Sequence, residues 1–144
     1  MADPKTILVP IDFEEASLEA LTQARDLAAT LGDEVVLLHV YAVPATFSSG
    51  IAPLVGIGLS EEIRVAAAET LARFASENGG LRTVLRCGDP TTETLAVIEE
   101  LQPEMVVMGT HGRTGFSHLL LGSVAENVVR SSPVPVLTLR ATAS

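Results

Sequence analysis

The sequence predicts an α/β domain in which a parallel sheet is covered by helices on both faces. Short apolar runs alternate along the chain with longer stretches in which apolar residues recur at helical spacing. Regular alternation of this kind is typical of parallel strands joined by right-handed crossovers. Hydrophobic residues make up 47% of the chain and aromatic residues only 3%. The core is therefore built from Val, Leu, Ile and Ala, which suits a buried parallel sheet.

Five strands and four helices are expected, with one long loop between them. In order, we predict a strand at Ile7–Val9, a helix at Glu15–Leu31, a strand at Val35–Val40, a loop at Val43–Leu59, a helix at Glu61–Asn78, a strand at Leu81–Arg86, a helix from Asp89 to Leu101, a strand at Met105–Met108, a helix at Val124–Arg130 and a strand at Val134–Leu139. No linker or repeat divides the chain, so residues 1–144 are predicted to form a single domain with an open five-stranded parallel sheet.

Turn and capping residues set the boundaries in the first half of the chain. Pro10 ends the first strand, and Gly32 ends the first helix as its C-cap. The segment Val43–Leu59 contains two prolines and three glycines, which predicts a loop that contributes to binding or is a tolerated surface insertion. Ser60 is predicted to cap the next helix, and Gly79-Gly80 to close it.

The second half is bounded by similar signals. Asp89 followed by Pro90 is typical of a helix start, and Pro103 stops that helix. Cys87 ends the apolar run before it and is expected to be a buried small hydrophobe. Pro135 lies inside the predicted last strand, which argues that this strand is an edge strand or begins there.

The charge and the cysteine count exclude several kinds of function. A formal net charge of −9 opposes binding to a nucleic-acid backbone, so no nucleic-acid partner is expected. A single cysteine excludes an internal disulfide and a cysteine-cluster metal site. We see no signal peptide and no apolar run long enough to span a membrane, so a cytoplasmic protein is expected.

The segment Gly109–Ser123 carries the clearest functional signal. Gly109 and Gly112 lie three residues apart, and Gly122-Ser123 follows after nine intervening residues. An apolar run ending at Met108 precedes the segment, and a helical pattern follows it. A strand, a glycine-rich loop and a helix N-terminus together favour phosphate binding, because unpaired backbone N–H groups and the helix dipole attract an anion. His111, between the two glycines, is expected to lie near the phosphate.

A carboxylate follows the first strand, at Pro10-Ile11-Asp12. Ligands of open α/β sheets bind outside the carboxyl ends of strands, where the connection direction reverses. If the first and fourth strands are neighbours, Asp12 and the glycine segment face each other across a cleft. Asp12 then belongs at the nucleoside end, because a carboxylate repels phosphates. Asp12 is equally well interpreted as the N-cap of the helix that follows, and the two roles are compatible.

Other nucleotide and phosphate sites fit less well. The lysine of a Walker A loop is absent, and so is the dinucleotide fingerprint in the first turn. A receiver domain needs a phospho-accepting aspartate and a lysine after the last strand, whereas Asp89 reads as a helix cap. AMP-forming enzymes of similar architecture carry a glycine- and serine-rich loop where this chain has Pro10-Ile11-Asp12-Phe13.

Over essentially its whole length, the sequence resembles the ATP-binding branch of the universal stress protein family. The resemblance rests on four segments: residues 9–12 (Val-Pro-Ile-Asp), 106–112 (Val-Val-Met-Gly-Thr-His-Gly), 120–126 (Leu-Leu-Gly-Ser-Val-Ala-Glu) and 132–137 (Ser-Pro-Val-Pro-Val-Leu). It implies the strand order 3-2-1-4-5, which places the first and fourth strands side by side. It also implies a homodimer formed through the last strand.

The resemblance also implies a set of binding residues. Asp12 would contact adenosine, and the backbone of Val40 would contact adenine. Residues lining the ribose and phosphates would be Gly109, Gly112, Gly122, Ser123 and Val124. With the motif residues Pro10, Met108 and His111, these form the predicted site.

The predicted function is ATP binding in a stress response, with the nucleotide as a ligand or a slow-turnover switch. The sequence shows no nucleophile paired with a general base, so at most weak ATP hydrolysis is expected. Any Mg²⁺ would be held largely by the phosphates. Three scattered histidines make a zinc site improbable, and His39 is expected to be a core residue. The alternative function is a dimeric protein-interaction module of the same fold that binds no nucleotide.

Overall fold

The computed structural model describes residues 5–44, 53–110 and 121–140, with the backbone alone described for residues 53–57. The elements, in chain order, are β1 (Thr6–Pro10), α1 (Glu15–Leu31), β2 (Glu34–Tyr41), α2 (Pro53–Glu77), β3 (Arg82–Cys87), α3 (Pro90–Leu101), β4 (Met105–Gly109), α4 (Ser123–Ser131) and β5 (Val136–Leu139). Strands and helices alternate as predicted.

All five strands are parallel and lie in the order β3-β2-β1-β4-β5. The chain first runs outward from β1 to β2 and β3, then crosses back to β4 on the other side of β1. The predicted order 3-2-1-4-5 is therefore confirmed. The direction of the connections reverses between β1 and β4, so the switch point of the sheet lies between these two strands.

Alternate side chains of the strands enter two different cores. Ile7 and Val9 pack with residues of α1 and α2, including Leu21 and Leu71. The other core, on the opposite face, contains Leu8 and residues of α3 and α4. This alternation follows from the period of two along a strand. The predicted placement of helices on both faces is confirmed.

Several predicted caps are present. Gly32 has φ 74° and donates its N–H to the Ala28 carbonyl at 2.8 Å, as expected of a left-handed C-cap. Asp89 caps α3 by accepting from the Thr92 N–H at 3.0 Å. That hydrogen bond is the main reason why the pKa of Asp89 lies below its ordinary value.

The prediction of a loop at Val43–Leu59 was wrong over its second half, because α2 already begins at Pro53. Ser60 consequently lies inside the helix instead of capping it. Proline at the first helical position sacrifices no hydrogen bond, because the N–H that it lacks would have no partner within the helix. Glycine within a helix costs about 1 kcal/mol relative to alanine. Propagation from the rest of the helix offsets that cost at Gly56 and Gly58.

Two further expectations need correction. β5 begins at Val136 instead of Val134, and Pro135 precedes it with its carbonyl accepting from the Val106 N–H at 2.9 Å. Proline can accept a ladder hydrogen bond but cannot donate one, so the strand begins just after it. Cys87 is exposed instead of buried. It is the last residue of β3, which is an edge strand.

Candidate functional site

The switch point lies between the carboxyl ends of β1 and β4, and open α/β sheets bind their ligands in the crevice outside such ends. These strands pair through Ile7↔Met105 and Leu8↔Val106. On their outer sides the pairing runs further, to Pro10↔Leu38 with β2 and to Gly109↔Leu139 with β5. Within the described residues, the ends of β1 and β4 are thus paired with their outer neighbours and not with each other.

Asp12 lies at the β1 side of this crevice and is half-buried. Its Oδ1 accepts from the Glu14 N–H at 2.9 Å and lies 2.8 Å from the Ser17 hydroxyl. Oδ1 therefore makes both contacts. Among the described residues, Oδ2 has no hydrogen-bond partner and is available to a ligand. Asp12 is not the N-cap of α1, since that position belongs to Glu14, but it fixes the turn that leads into the helix.

Ser17 is a site residue that the sequence did not reveal. It is 5% exposed and lies on the buried side of α1. Its hydroxyl contacts the Asp12 carboxylate and also lies 2.9 Å from the Glu14 carbonyl. The detectable signal was a hydroxyl on a helix face that otherwise carries Ala20, Leu21 and Ala24. A polar residue on such a face requires a partner.

Gly109 ends β4 directly against the first turn of α1. A Cβ at this position would lie 2.7 Å from the Ala16 Cβ and 2.9 Å from the Ala16 carbonyl carbon. Glycine is thus required here for helix-to-strand packing. This is a different reason from the close approach of a phosphate, and the two reasons are compatible. Since Ala16 neighbours Ser17, the Asp12 turn and the end of β4 are linked through one turn of helix.

The two ends of the glycine segment meet. The Gly122 N–H donates to the Thr110 carbonyl at 2.5 Å, and the Thr110 N–H donates to the Leu139 carbonyl at 2.8 Å. The end of β4 and the start of α4 are therefore joined directly by a backbone hydrogen bond. His111 and Gly112, both predicted site residues, lie outside the described residues.

The N-terminus of α4 is available to an anion. Gly122 is its N-cap, with φ −63° and ψ 158°, and no side chain among the described residues caps it. Ser123 is exposed at the first helical position. Glu126 adds negative charge to the first turn but is paired with Arg130 at 2.8 Å. Uncapped N–H groups and the helix dipole favour a phosphate at this position.

The other predicted site residues lie in β1, β2, β4 and α4. The side chains of Val40 and Val124 pack against the α3/α4 core, and Met108 is buried there at 4% exposure. Pro10 ends β1, and the Ile11 N–H after it donates to the Leu38 carbonyl at 2.7 Å.

One known protein family matches the chain over nearly its whole length. The model of the universal stress protein family matches residues 4–140. The chain belongs to the universal stress protein family. One relative is the universal stress protein MJ0531 of Methanocaldococcus jannaschii, which is 31% identical over 94% of this chain and 82% of its own length.

Solved universal stress protein structures share the same fold. The MJ0577 protein of M. jannaschii has a TM-score of 0.81 at 29% identity, over 97% of this chain and 98% of the other. A universal stress protein solved in complex with cAMP has a TM-score of 0.62 at 21% identity, over 96% of this chain and 98% of the other. The second likeness shows the fold alone.

Neither a metal-binding cluster nor a membrane-spanning helix is present among the described residues of this universal stress protein. No group of three or more His, Cys, Asp or Glu side chains in residues 5–44, 53–110 and 121–140 is placed to hold a metal ion. Within the same residues, no helix combines the length and apolar character needed to cross a membrane.

Proposed function

We propose that this universal stress protein binds ATP in the crevice between β1 and β4 and acts in a cytoplasmic stress response. The observation that carries the proposal is the placement of two complementary groups beside one switch point. Among the residues that the structure describes, the β1 side carries a carboxylate whose Oδ2 has no hydrogen-bond partner, and the β4 side carries a helix N-terminus that no side chain caps. A nucleotide carries hydroxyl groups that suit the first and phosphates that suit the second.

The two ends of the nucleotide bind to different parts of the crevice. Asp12 accepts from the ribose hydroxyls, and the backbone of Val40 contacts the adenine. Gly109, Gly122, Ser123 and Val124 lie around the ribose and phosphates, and Gly112 and His111 complete the phosphate end. The opposite orientation is unfavourable, because it would place the phosphates beside the Asp12 carboxylate.

The family supports an adenine nucleotide in particular. A relative with the same fold was solved with cAMP, which shares the adenosine and a phosphate with ATP. The glycine spacing of the ATP-binding branch adds support for a polyphosphate. We therefore take ATP as the ligand and treat cAMP and AMP as competitors in the test.

The bound nucleotide acts as a ligand or a slow-turnover switch. Mg²⁺ would be held mainly by the phosphates, since it often takes only one or two protein ligands. The Asp12 Oδ1 already bonds to Ser17 and to the Glu14 N–H, and the sequence shows no nucleophile paired with a base. Any hydrolysis is therefore slow.

Calorimetry with a matched pair of variants tests the proposal. Gly122→Asp places a carboxylate at the N-cap of α4, where it occupies the free N–H groups and repels phosphate. We expect ATP–Mg²⁺ to bind the wild type and to bind this variant at least about tenfold more weakly, with no loss of stability. Ser76→Asp adds the same charge on an exposed position near the end of α2 and should bind like the wild type.

The binding measurements can contradict the proposal or change the identity of the ligand. Absence of ATP binding to the wild type, or equal affinity in wild type and Gly122→Asp, contradicts the proposal. Tighter binding of cAMP or AMP than of ATP corrects the ligand. Mass spectrometry of the supernatant of the denatured protein adds a direct measurement, because a resident nucleotide should be released.

A dimeric interaction module remains the second candidate, since β5 is an edge strand. Leu137, in the middle of this four-residue strand, is 39% exposed. An apolar edge strand tends to pair with another chain unless it is covered. A homodimer through β5 would cover Leu137. Light scattering should give a dimer mass for the wild type and a monomer mass for Leu137→Lys, and a monomeric wild type contradicts the dimer.

A further inference from the structure

Phe13, which follows Asp12, has an unusual backbone conformation. Its φ is 67°, in the left-handed region that side chains other than glycine rarely adopt. A bulky residue keeps such a conformation only where its surroundings impose it, and such residues cluster at functional sites. The conformation reverses the chain between the Asp12 carboxylate and the Glu14 N–H that bonds to it.

Two rings hold the Phe13 side chain in place. The His39 ring lies 4.9 Å away, centroid to centroid, at an angle of 54°. The Phe74 ring lies 5.4 Å away at 76°, an edge-to-face contact. His39 comes from β2 and Phe74 from α2, so the turn is clamped by elements distant in sequence. Aromatic contacts in these geometries are favourable beyond the area that they bury.

His39 also fixes the backbone of the same turn. Its Nδ1 lies 2.8 Å from the Ile11 carbonyl oxygen. A carbonyl oxygen can only accept, so Nδ1 carries the proton in this contact. The Ile11 N–H is held as well, by the Leu38 carbonyl at 2.7 Å. Both backbone groups of Ile11, which precedes Asp12, are therefore bound to β2.

We propose that His39 is a positioning residue for nucleotide binding: its Nδ1–H bond to the Ile11 carbonyl holds Asp12 in its binding position before the ligand arrives. This inference rests on the proposed function. It concerns a residue that does not touch the ligand and acts through Asp12. A turn that is already rigid reduces the conformational entropy that is lost when ATP binds.

Two substitutions separate the hydrogen bond from the ring. His39→Asn retains an N–H donor near the position of Nδ1 but removes the ring. His39→Phe keeps a ring against Phe13 but has no donor. Loss of a hydrogen bond of ordinary strength corresponds to about a two- to tenfold rise in the Kd for ATP–Mg²⁺. We expect that rise in His39→Phe and a Kd within about twofold of the wild type in His39→Asn. Wild-type affinity in His39→Phe, or equal weakening in both variants, overturns the inference.

A double-mutant cycle tests whether His39 acts through Asp12. In an Asp12→Asn background, His39→Phe should weaken binding less than it does in the wild type, because the position of the carboxylate no longer matters. Equal effects in both backgrounds overturn the inference. Ile98→Val, a buried change in α3 on the opposite face, controls for stability: it should lower the melting temperature and leave the Kd unchanged.

A measurement without nucleotide separates this inference from the proposed function. The Glu14 amide, bonded to the Asp12 carboxylate, should exchange with solvent faster in His39→Phe than in the wild type or His39→Asn. If the wild type binds no ATP but the exchange follows this order, the proposed function fails while the positioning of Asp12 stands. Unchanged Glu14 exchange in His39→Phe overturns the positioning itself.

Discussion

Gly109, the last residue of β4, lies against Ala16 in the first turn of α1. A Cβ on Gly109 would lie 2.7 Å from the Ala16 Cβ, closer than side chains in proteins approach one another. Because Ala16 precedes Ser17, which bonds to Asp12, this contact links the end of β4 to the turn that carries Asp12.

We expect Gly109→Ala to lower the free energy of unfolding by about 1–3 kcal/mol, because the added methyl group forces α1 away from β4. Chemical denaturation measures the loss. Ala16→Gly in the same chain should recover part of it, although glycine within a helix costs about 1 kcal/mol by itself. Gly58→Ala is the control, since nothing lies within 4 Å of the added Cβ in that helix. A neutral Gly109→Ala would contradict the close contact.

Ser17→Ala removes the buried hydroxyl that contacts the Asp12 carboxylate. We expect a loss of about 1 kcal/mol in the free energy of unfolding, the usual net value of one hydrogen bond. Weaker binding of ATP–Mg²⁺ should accompany it, since Asp12 loses one of two contacts that orient it. Thr22→Ala deletes an exposed hydroxyl of the same helix and should change neither quantity. An equal effect of the two substitutions would argue against a role for Ser17.

Glu104 makes stability depend on pH through its contact with Asp33. A hydrogen bond with Asp33, then burial, raises the pKa of Glu104 above its ordinary value of 4.5, and the charge of Asp33 adds to the rise. Lys5, 3.9 Å from Glu104, opposes it. The Asp33 Oδ2 is buried and has no hydrogen-bond partner among the described residues, so a proton shared with Glu104 would supply the donor that it lacks.

The sign of this dependence follows from the raised pKa. The folded state holds the Glu104 proton more tightly than the unfolded state, so the stabilisation is complete below the unfolded value and is lost as pH rises through the folded value. Glu104→Gln keeps a donor at every pH. It should stabilise the protein at neutral pH and flatten the dependence of the denaturation midpoint on pH above the ordinary pKa of 4.5. The exposed Glu62→Gln is the control, and an unchanged pH profile in Glu104→Gln contradicts the shared proton.

Cys87, the single cysteine, should react with a thiol reagent in the folded protein, because it is exposed at the end of β3. We expect one equivalent to react under native conditions at nearly the rate seen after denaturation. Cys87→Ser should change the free energy of unfolding by no more than about 0.5 kcal/mol, as for other surface substitutions. Protection of the thiol until the protein unfolds would show that the residue is buried.

Local patterns in the sequence were sufficient for the elements and their order. Apolar spacing distinguishes strands from helices, and Gly32 and Asp89 mark helix ends by chemistry that acts within four residues. The alternation of strands and helices then restricts the sheet to few topologies. The strand order came from the family resemblance, and the paired strands confirm it. The roles of the predicted nucleotide residues remain predictions.

Predictions from local sequence patterns were wrong where long-range packing determined the structure. Pro53 and the two glycines after it suggested a loop, yet they belong to α2. Cys87 followed an apolar run and was expected inside, yet the edge position of β3 exposes it. In both cases the structural preference of a single residue is about 1 kcal/mol or less, and the packing of the helix or strand that contains it outweighs that preference.

The sequence by itself determined the α/β class, the strand-to-helix alternation and the position of the glycine segment, because each depends on residues close together in the chain. Only the tertiary structure revealed that Gly109 must be glycine because of Ala16, and that His39 binds the Ile11 carbonyl. Those contacts join residues far apart in sequence, and folding brings them together by burying the two faces of the sheet.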